Sequence, residues 1–225
     1  MPSIRECGEQ LIDVRTQEKL LYGRPPERPE TEPHYCLMRL GVYERLLRAQ
    51  ARLQRGFRLR LYEGLRSRAV QKQLFEQEKA RVSIREPTLT PEEVHSRATL
   101  LVSPPTFWDG SNNITPHSTG GAVDVEIVDA KGSVIDFGME IREWVSVEPS
   151  FCAPIHPALS EGARRNRGLL AEIMLQEDFV RYHSEWWHFS YGDQYWAREK
   201  AKEFAFYGAC TSEMMEQKAI LLLPA

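Results

Sequence analysis

The chain has 225 residues, 42% hydrophobic and 27% charged, with a formal net charge of −3. These are the values of an ordinary globular protein with a sizeable core, and they give no basis for binding nucleic acid or an anionic membrane through bulk charge. Basic residues gather only at Arg164-Arg165-Asn166-Arg167, without interleaved aromatics, and read as a solvated helix face. The first fifteen residues carry Arg5, Glu6, Glu9 and Asp13 and lack a continuous apolar run, so no secretory signal is expected. The apolar run at 220–223 is far too short to span a bilayer. Cys7, Cys36, Cys152 and Cys210 are scattered, with no CxxC pair. That argues against a cysteine metal site and suits reduced thiols in the cytoplasm.

In chain order, the opening segment has no clean period and leads into YGRPPERP at 22–29, where three prolines forbid helix. It reads as an arm wrapping over the body. Residues 37–55 space Leu40, Tyr43, Leu47 and Leu53 as an amphipathic helix with Gly56 as a stop. FRLRLY at 57–62 alternates as a half-buried strand. Ser67 then caps a helix containing Val70, Leu74 and Phe75. Thr90-Pro91-Glu92-Glu93 has the capping-box pattern and predicts a short helix to about residue 101. AVDVEIV at 122–128 reads as a strand with Val123, Val125 and Ile127 on its core face and Asp124 facing a cleft. Residues 133–137 are expected to return as a second strand after a turn. Ser160 begins a helix through Leu169, Leu170, Ile173 and Met174. Two strands follow, at 179–182 and 187–191, and a helix with Trp196, Phe204 and Phe206 closes the chain. The pattern is α+β: a small, mostly antiparallel sheet with helices packed outside it.

The chemistry concentrates in two segments. TPHSTGGAVD at 115–124 sets His117 and Asp124 on either side of a Gly120-Gly121 turn. A lone loop histidine is usually structural, and a lone aspartate usually a turn or cap. Two ligands joined by a flexible turn and a rigid strand can meet on one ion, and an aspartate among apolar neighbours needs a buried partner, which a metal supplies. EWWH at 185–188 places Glu185 three residues before His188. On a regular strand those side chains point to opposite faces, so Glu185 is expected just before the strand proper, or at a bulge. Taken alone, EWWH reads as a core histidine with an exposed glutamate. Together the segments hold the inventory of a catalytic zinc site: three ligands, one open position and a base beside it. One zinc ion per chain is expected, without the HExxH helix of other zinc peptidases. Arg66, a surface arginine by default, has the chemistry to face an oxygen that turns negative during attack on a carbonyl. His34, His95, His156 and His183 lack partners at comparable spacing and are left as structural or exposed.

These residues carry a family resemblance. TPHSTGGAVD matches the SxHxxGxAxD pattern of the zinc D,D-peptidases, with Thr115 in place of the serine, and EWWH matches their ExxH. LYEGLR at 61–66 resembles the strand end that carries their catalytic arginine. The chain looks most like the D-alanyl-D-alanine dipeptidases of the vancomycin-resistance type, over about residues 13–191. The resemblance implies zinc held by His117, Asp124 and His188, with Glu185 as the general base and Arg66 as the oxyanion partner. It also implies a confined cavity suited to dipeptides, and a cytoplasmic enzyme that removes D-Ala-D-Ala. Thr115, Ser118, Trp187 and Arg142 are the expected substrate contacts. The dipeptidases typically place a tyrosine in the arm and an aspartate after the second motif to hold the substrate ammonium; here Thr16 and Arg142 stand at those places. A cation at Arg142 repels an ammonium group and favours an acylated or acidic substrate.

The expected organisation is an N-terminal arm and Pro-rich linker at 1–36, a zinc peptidase catalytic domain at 37–208 and a C-terminal tail at 209–225. The expected function is a zinc dipeptidase for D-Ala-D-Ala or a related small dipeptide. The alternatives are a zinc amidase or carboxypeptidase of the same superfamily, and a zinc-site binding protein without turnover, against which Glu185 and Arg66 argue. Neither nucleic acid nor membrane is an expected partner.

Overall fold

β-Branched residues make AVDVEIV a strand, and the sheet is built around it. The computed structural model describes residues 1–26 and 29–217; linker positions 27 and 28 and the apolar run at 220–223 lie outside the described residues. Its strands are β1 (Ser3–Ile4), β2 (Leu11–Asp13), β3 (Leu21–Tyr22), β4 (Leu37–Arg39), β5 (Arg58–Glu63), β6 (Ala122–Val128), β7 (Val180–Arg181), β8 (His188–Ser190) and β9 (Phe204–Ala205). The helices are α1 (Leu40–Ala51), α2 (Arg68–Arg85), α3 (Pro91–Ala98), α4 (Glu161–Leu175), α5 (Gln194–Glu199) and α6 (Ser212–Glu216). The main sheet runs β3-β5-β6-β8-β7, antiparallel except for the β3–β5 pair. Separate pairings of β1 with β9 and β2 with β4 tie the N-terminal residues into the body. This is the expected α+β architecture.

The helix starts follow the local chemistry. The Ser67 hydroxyl accepts from the Val70 amide at the head of α2. Thr90 and Glu93 close a capping box on α3, and Ser160 caps α4. Val123, Val125 and Ile127 join one core with Val42 and Leu46 of α1 and Leu170 and Met174 of α4. Each such side chain contributes about 1.5–3 kcal/mol by leaving water. The opposite face of β6 is closed as well. Asp124 and Glu126 are both buried, and Arg60 of β5, directly across from Glu126, pairs with its carboxylate at 2.7 Å.

Tertiary pairing overrides local pattern in several places. Residues 37–39 are strand rather than the first turn of the expected 37–55 helix, because β2 pairs with them. Residues 133–137 form no strand; only Val134 bridges to Val128. There the Asp136 carbonyl accepts from Asn166 and its carboxylate from Ser160 and the Gly138 amide, which draws the backbone away. The expected closing helix stops at Glu199, and Phe204 instead pairs with Ser3 in β9. Among the described residues no helix is long and apolar enough to cross a membrane.

The basic run on α4 is not wholly a solvated face. Arg167 is buried, donating to the carbonyls of Phe137 (2.8 Å), Phe151 (2.9 Å) and Ala153 (2.6 Å). Its guanidinium lies 5.4 Å from the Trp186 ring centroid. Burial pushes its pKa down to about 10, which still leaves it charged at neutral pH. Arg167→Leu is expected to cost about 2–4 kcal/mol, since buried carbonyls lose a charged donor. Urea unfolding measures this, and a change below about 1 kcal/mol would contradict the assignment.

Candidate metal centre and its cavity

A short 3-10 turn, Pro116–Thr119, precedes β6 and ends at Gly120 with φ 69°, a backbone state that glycine enters at no steric cost. The turn delivers His117 beside the start of β6. On the next strand, His188 stands directly opposite Asp124 in the β6–β8 register. Cross-strand partners project to the same side of a sheet, so these side chains meet. Glu185 falls in the irregular segment before β8, as the three-residue spacing requires. Trp186 anchors that segment, its ring stacked on Phe137 at 4.2 Å and its amide donating to the Cys152 carbonyl. Glu185 Oε2 thereby comes within 3.9 Å of His188 Nδ1.

The three buried groups form a tight triangle. His117 Nε2 lies 3.0 Å from His188 Nδ1 and 3.4 Å from Asp124 Oδ1, and His188 Nδ1 lies 3.1 Å from Asp124 Oδ1. Four tetrahedral ligands at about 2.0–2.2 Å from an ion stand roughly 3.3–3.6 Å apart, so a small opening of the triangle accommodates one ion. His117 Nδ1 donates to the Gly64 carbonyl at 2.7 Å, which leaves the Nε2 lone pair facing inward. On the outer side of His188, Nε2 lies 3.4 Å from the Ser190 hydroxyl. With His188 protonated at Nε2, all three inward atoms carry lone pairs, and one cation between them satisfies all three. The donor set fits a divalent metal.

Charge around the triangle is finely balanced. Burial alone raises the Asp124 pKa, but His117 and His188 outweigh it and hold the carboxyl well below the usual range. The Glu185 side chain is 15% exposed. Burial raises its pKa, the Asp124 charge raises it further, and Arg66 and His117 oppose. Arg66 is firmly cationic: Glu63, Asp124 and Glu185 outweigh the burial that disfavours its charge. Glu63 accepts from Arg66 Nε at 3.0 Å and from Nη2, and Gln71 accepts from Nη1 at 3.0 Å.

These groups share a cavity of about 450 Å³, walled by Tyr62, Leu74, Phe107, Trp144, Tyr182 and Trp187. Thr115 also lines it, as do Pro26 and Thr31 from the N-terminal residues and His183. Two expected substrate contacts lie elsewhere. Ser118 is not among the lining residues and gives its hydroxyl to the Thr115 carbonyl. Arg142 is exposed and lies 3.5 Å from Glu140. Its short helical turn sends Ile141 and Trp144 inward, which leaves Arg142 facing out. Thr16 is turned to the Asp13 carbonyl. The sequence reading missed Glu63 and Gln71. Glu63 was visible three residues before Arg66, but it reaches the site through a bulge at Tyr62 that no periodicity reveals.

Gly64 has a steric duty here. A Cβ on it would lie 2.4 Å from the Leu37 carbonyl oxygen, so Gly64→Ala must shift the strand end that holds His117 Nδ1. Metal affinity is expected to fall roughly 10–100-fold, as for loss of an outer partner of a ligand histidine. Competition with a chromophoric chelator measures it; unchanged affinity in a folded variant would contradict this role.

The chain is similar to several known proteins. The peptidase M15 family model, described as D-ala-D-ala dipeptidase, matches residues 30–206. A D-alanyl-D-alanine dipeptidase from Synechocystis sp. is 30% identical over 234 residues, covering 91% of this chain and 93% of the relative. One from Escherichia coli is 39% identical over 80 residues, or 36% and 37% of the two chains. Among solved structures, the vancomycin-resistance D,D-pentapeptidase VanY in complex with zinc matches with a TM-score of 0.42 and 16% identity, over 83% of this chain and 94% of that one. With a family match over 30–206 and a relative aligned along nearly its whole length, the chain belongs to the peptidase M15 family of D-Ala-D-Ala dipeptidases.

Proposed function

We propose that the chain is a zinc-dependent dipeptidase that hydrolyses D-Ala-D-Ala or a related small dipeptide. The observation that carries this reading is the buried His117–Asp124–His188 triangle with Glu185 and Arg66 opening on the same cavity. A binding site for an ion alone needs neither a base nor a fixed cation. The acylated-substrate alternative loses its motive, because Arg142 is exposed and is not among the residues lining the cavity.

His117, Asp124 and His188 are the proposed ligands. A zinc ion on them supplies Lewis acidity, which lowers the pKa of water and polarises a carbonyl. Glu185 accepts the proton of the attacking water and returns it to the leaving amine. Arg66 places a permanent positive charge toward the carbonyl oxygen as it turns negative. Trp187 and Tyr182 exclude bulk water, which strengthens each of these interactions. Thr115 and Trp187 remain the proposed substrate contacts. The chemistry is assigned to residues 37–208, with Pro26 and Thr31 of the 1–36 segment completing the cavity wall. The cysteines are all free, which fits the cytoplasm as its compartment.

The purified protein loaded with one zinc per chain is expected to release D-alanine from D-Ala-D-Ala, to lose this with a chelator, and to regain it on zinc addition. A metal-loaded protein that cuts no member of a D,D- and L,D-dipeptide panel would refute the reading. Glu185→Ala should lower kcat by about 10²–10⁴-fold while keeping zinc, whereas His188→Ala should lose both. Single-turnover assays with metal analysis separate the two, and full turnover by Glu185→Ala would exclude it as the base.

A further inference from the structure

Glu63 and Gln71 are each 2% exposed, and neither has a part in the chemistry above. Both are spent on Arg66. Glu63 occupies the side of the guanidinium formed by Nε and Nη2, and Gln71 accepts from Nη1. Gln71 is itself pinned, its Nε2 donating to the Ser103 carbonyl at 2.7 Å. Of the five N–H donors of arginine, this leaves one on each terminal nitrogen. Glu63 gets there through the β5 bulge: after Leu61 pairs with Val125, the next paired residue is Glu63, opposite Asp124.

That placement sets two carboxylates in competition for one cation. Arg66 Nη2 contacts Glu63 Oε2 closely but stands 3.8 Å from Asp124 Oδ2, beyond hydrogen-bond distance. Without Glu63, the nearest strong acceptor for the guanidinium is Asp124. An arginine closed onto Asp124 Oδ2 would draw charge from the carboxylate whose Oδ1 faces the two histidines, weakening it as a metal ligand, and would turn its remaining donors from the cavity.

We propose that Glu63 is a positioning residue that holds Arg66 off Asp124, keeping the charge of that carboxylate for the metal and two arginine N–H groups open for the substrate oxygen. The catalytic half of this proposal rests on the reading of Arg66 as the oxyanion partner. The metal half does not.

The test is a double-variant cycle read by zinc affinity and by kcat and KM on D-Ala-D-Ala, with thermal melts as a check of folding. Glu63→Gln keeps the shape and weakens the hold. It is expected to raise the zinc dissociation constant roughly tenfold and to lower kcat by about 10–100-fold with little change in KM. Adding Arg66→Met to Glu63→Gln is expected to restore zinc affinity to within about threefold of the wild type, and to give a kcat no lower than Arg66→Met alone. A general structural role for Glu63 would not be rescued by removing its partner. Zinc affinity that stays low in the double variant, or a Glu63→Gln protein unchanged in both readouts, overturns the proposal. Full turnover by Arg66→Met would refute the reading of Arg66 and the catalytic half with it, while restoration of zinc affinity in the double variant would still uphold the metal half. Should Glu63→Gln not fold, Glu63→Asp, which draws the carboxylate back from the guanidinium by one methylene, takes its place with the same two readouts, and a variant unchanged in both overturns the proposal.

Discussion

Lone pairs from two imidazoles and a carboxylate point at one buried spot, and the surrounding structure is organised by the need to make that arrangement tolerable. Removed from water, such groups repel each other and lose hydration that nothing apolar replaces. The chain answers on the outward side of each ring. The Gly64 carbonyl accepts from His117 Nδ1–H, which leaves Nε2 as the inward acceptor, and the Ser190 hydroxyl stands by His188 Nε2. Convergence of that kind is stable only around positive charge, and its cost is recovered when an ion binds.

The sheet supplies the precision. Asp124 sits in the middle strand with His188 opposite on one neighbour and Glu63 opposite on the other. One residue therefore touches the ligand set through β8 and the arginine network through β5. The bulge matters because regular pairing would have set Tyr62 opposite Asp124 and turned Glu63 to the other face. The strand end after it is doubly tied. The Gly64 carbonyl accepts from His117, and the Arg66 amide donates to the His117 carbonyl at 3.2 Å. His117, a proposed metal ligand, and Arg66 are thus positioned by the same few residues.

Buried charge recurs away from the centre, and there too it is matched. Glu126 meets Arg60, and Arg167 meets three carbonyls beneath the Trp186 ring. Through Trp186, the Arg167 cluster braces the segment that presents Glu185. The placement of Glu185, the proposed base, is therefore supported by a residue of α4 that does not line the cavity.

Much of the site was legible beforehand because its signals are local. The spacing of His117 and Asp124 about a glycine turn, the EWWH run and the caps at Ser67, Thr90 and Ser160 each depend on neighbours within a few residues. The break before β8 followed from strand geometry once Glu185 and His188 were both required to face one cleft. What the tertiary structure decided was everything that depends on distant partners. Residues 37–39 became strand because β2 lay beside them, and 204–205 did so because of β1. Arg167 was buried and Arg142 was not, although nothing in the composition of either segment separates them. Glu63 reached Arg66 through a bulge whose register exists only once β5 and β6 are paired. Residue types and short spacings determine which groups can ligate or transfer a proton; which of them meet depends on contacts across many tens of residues, and those are set only when the core closes.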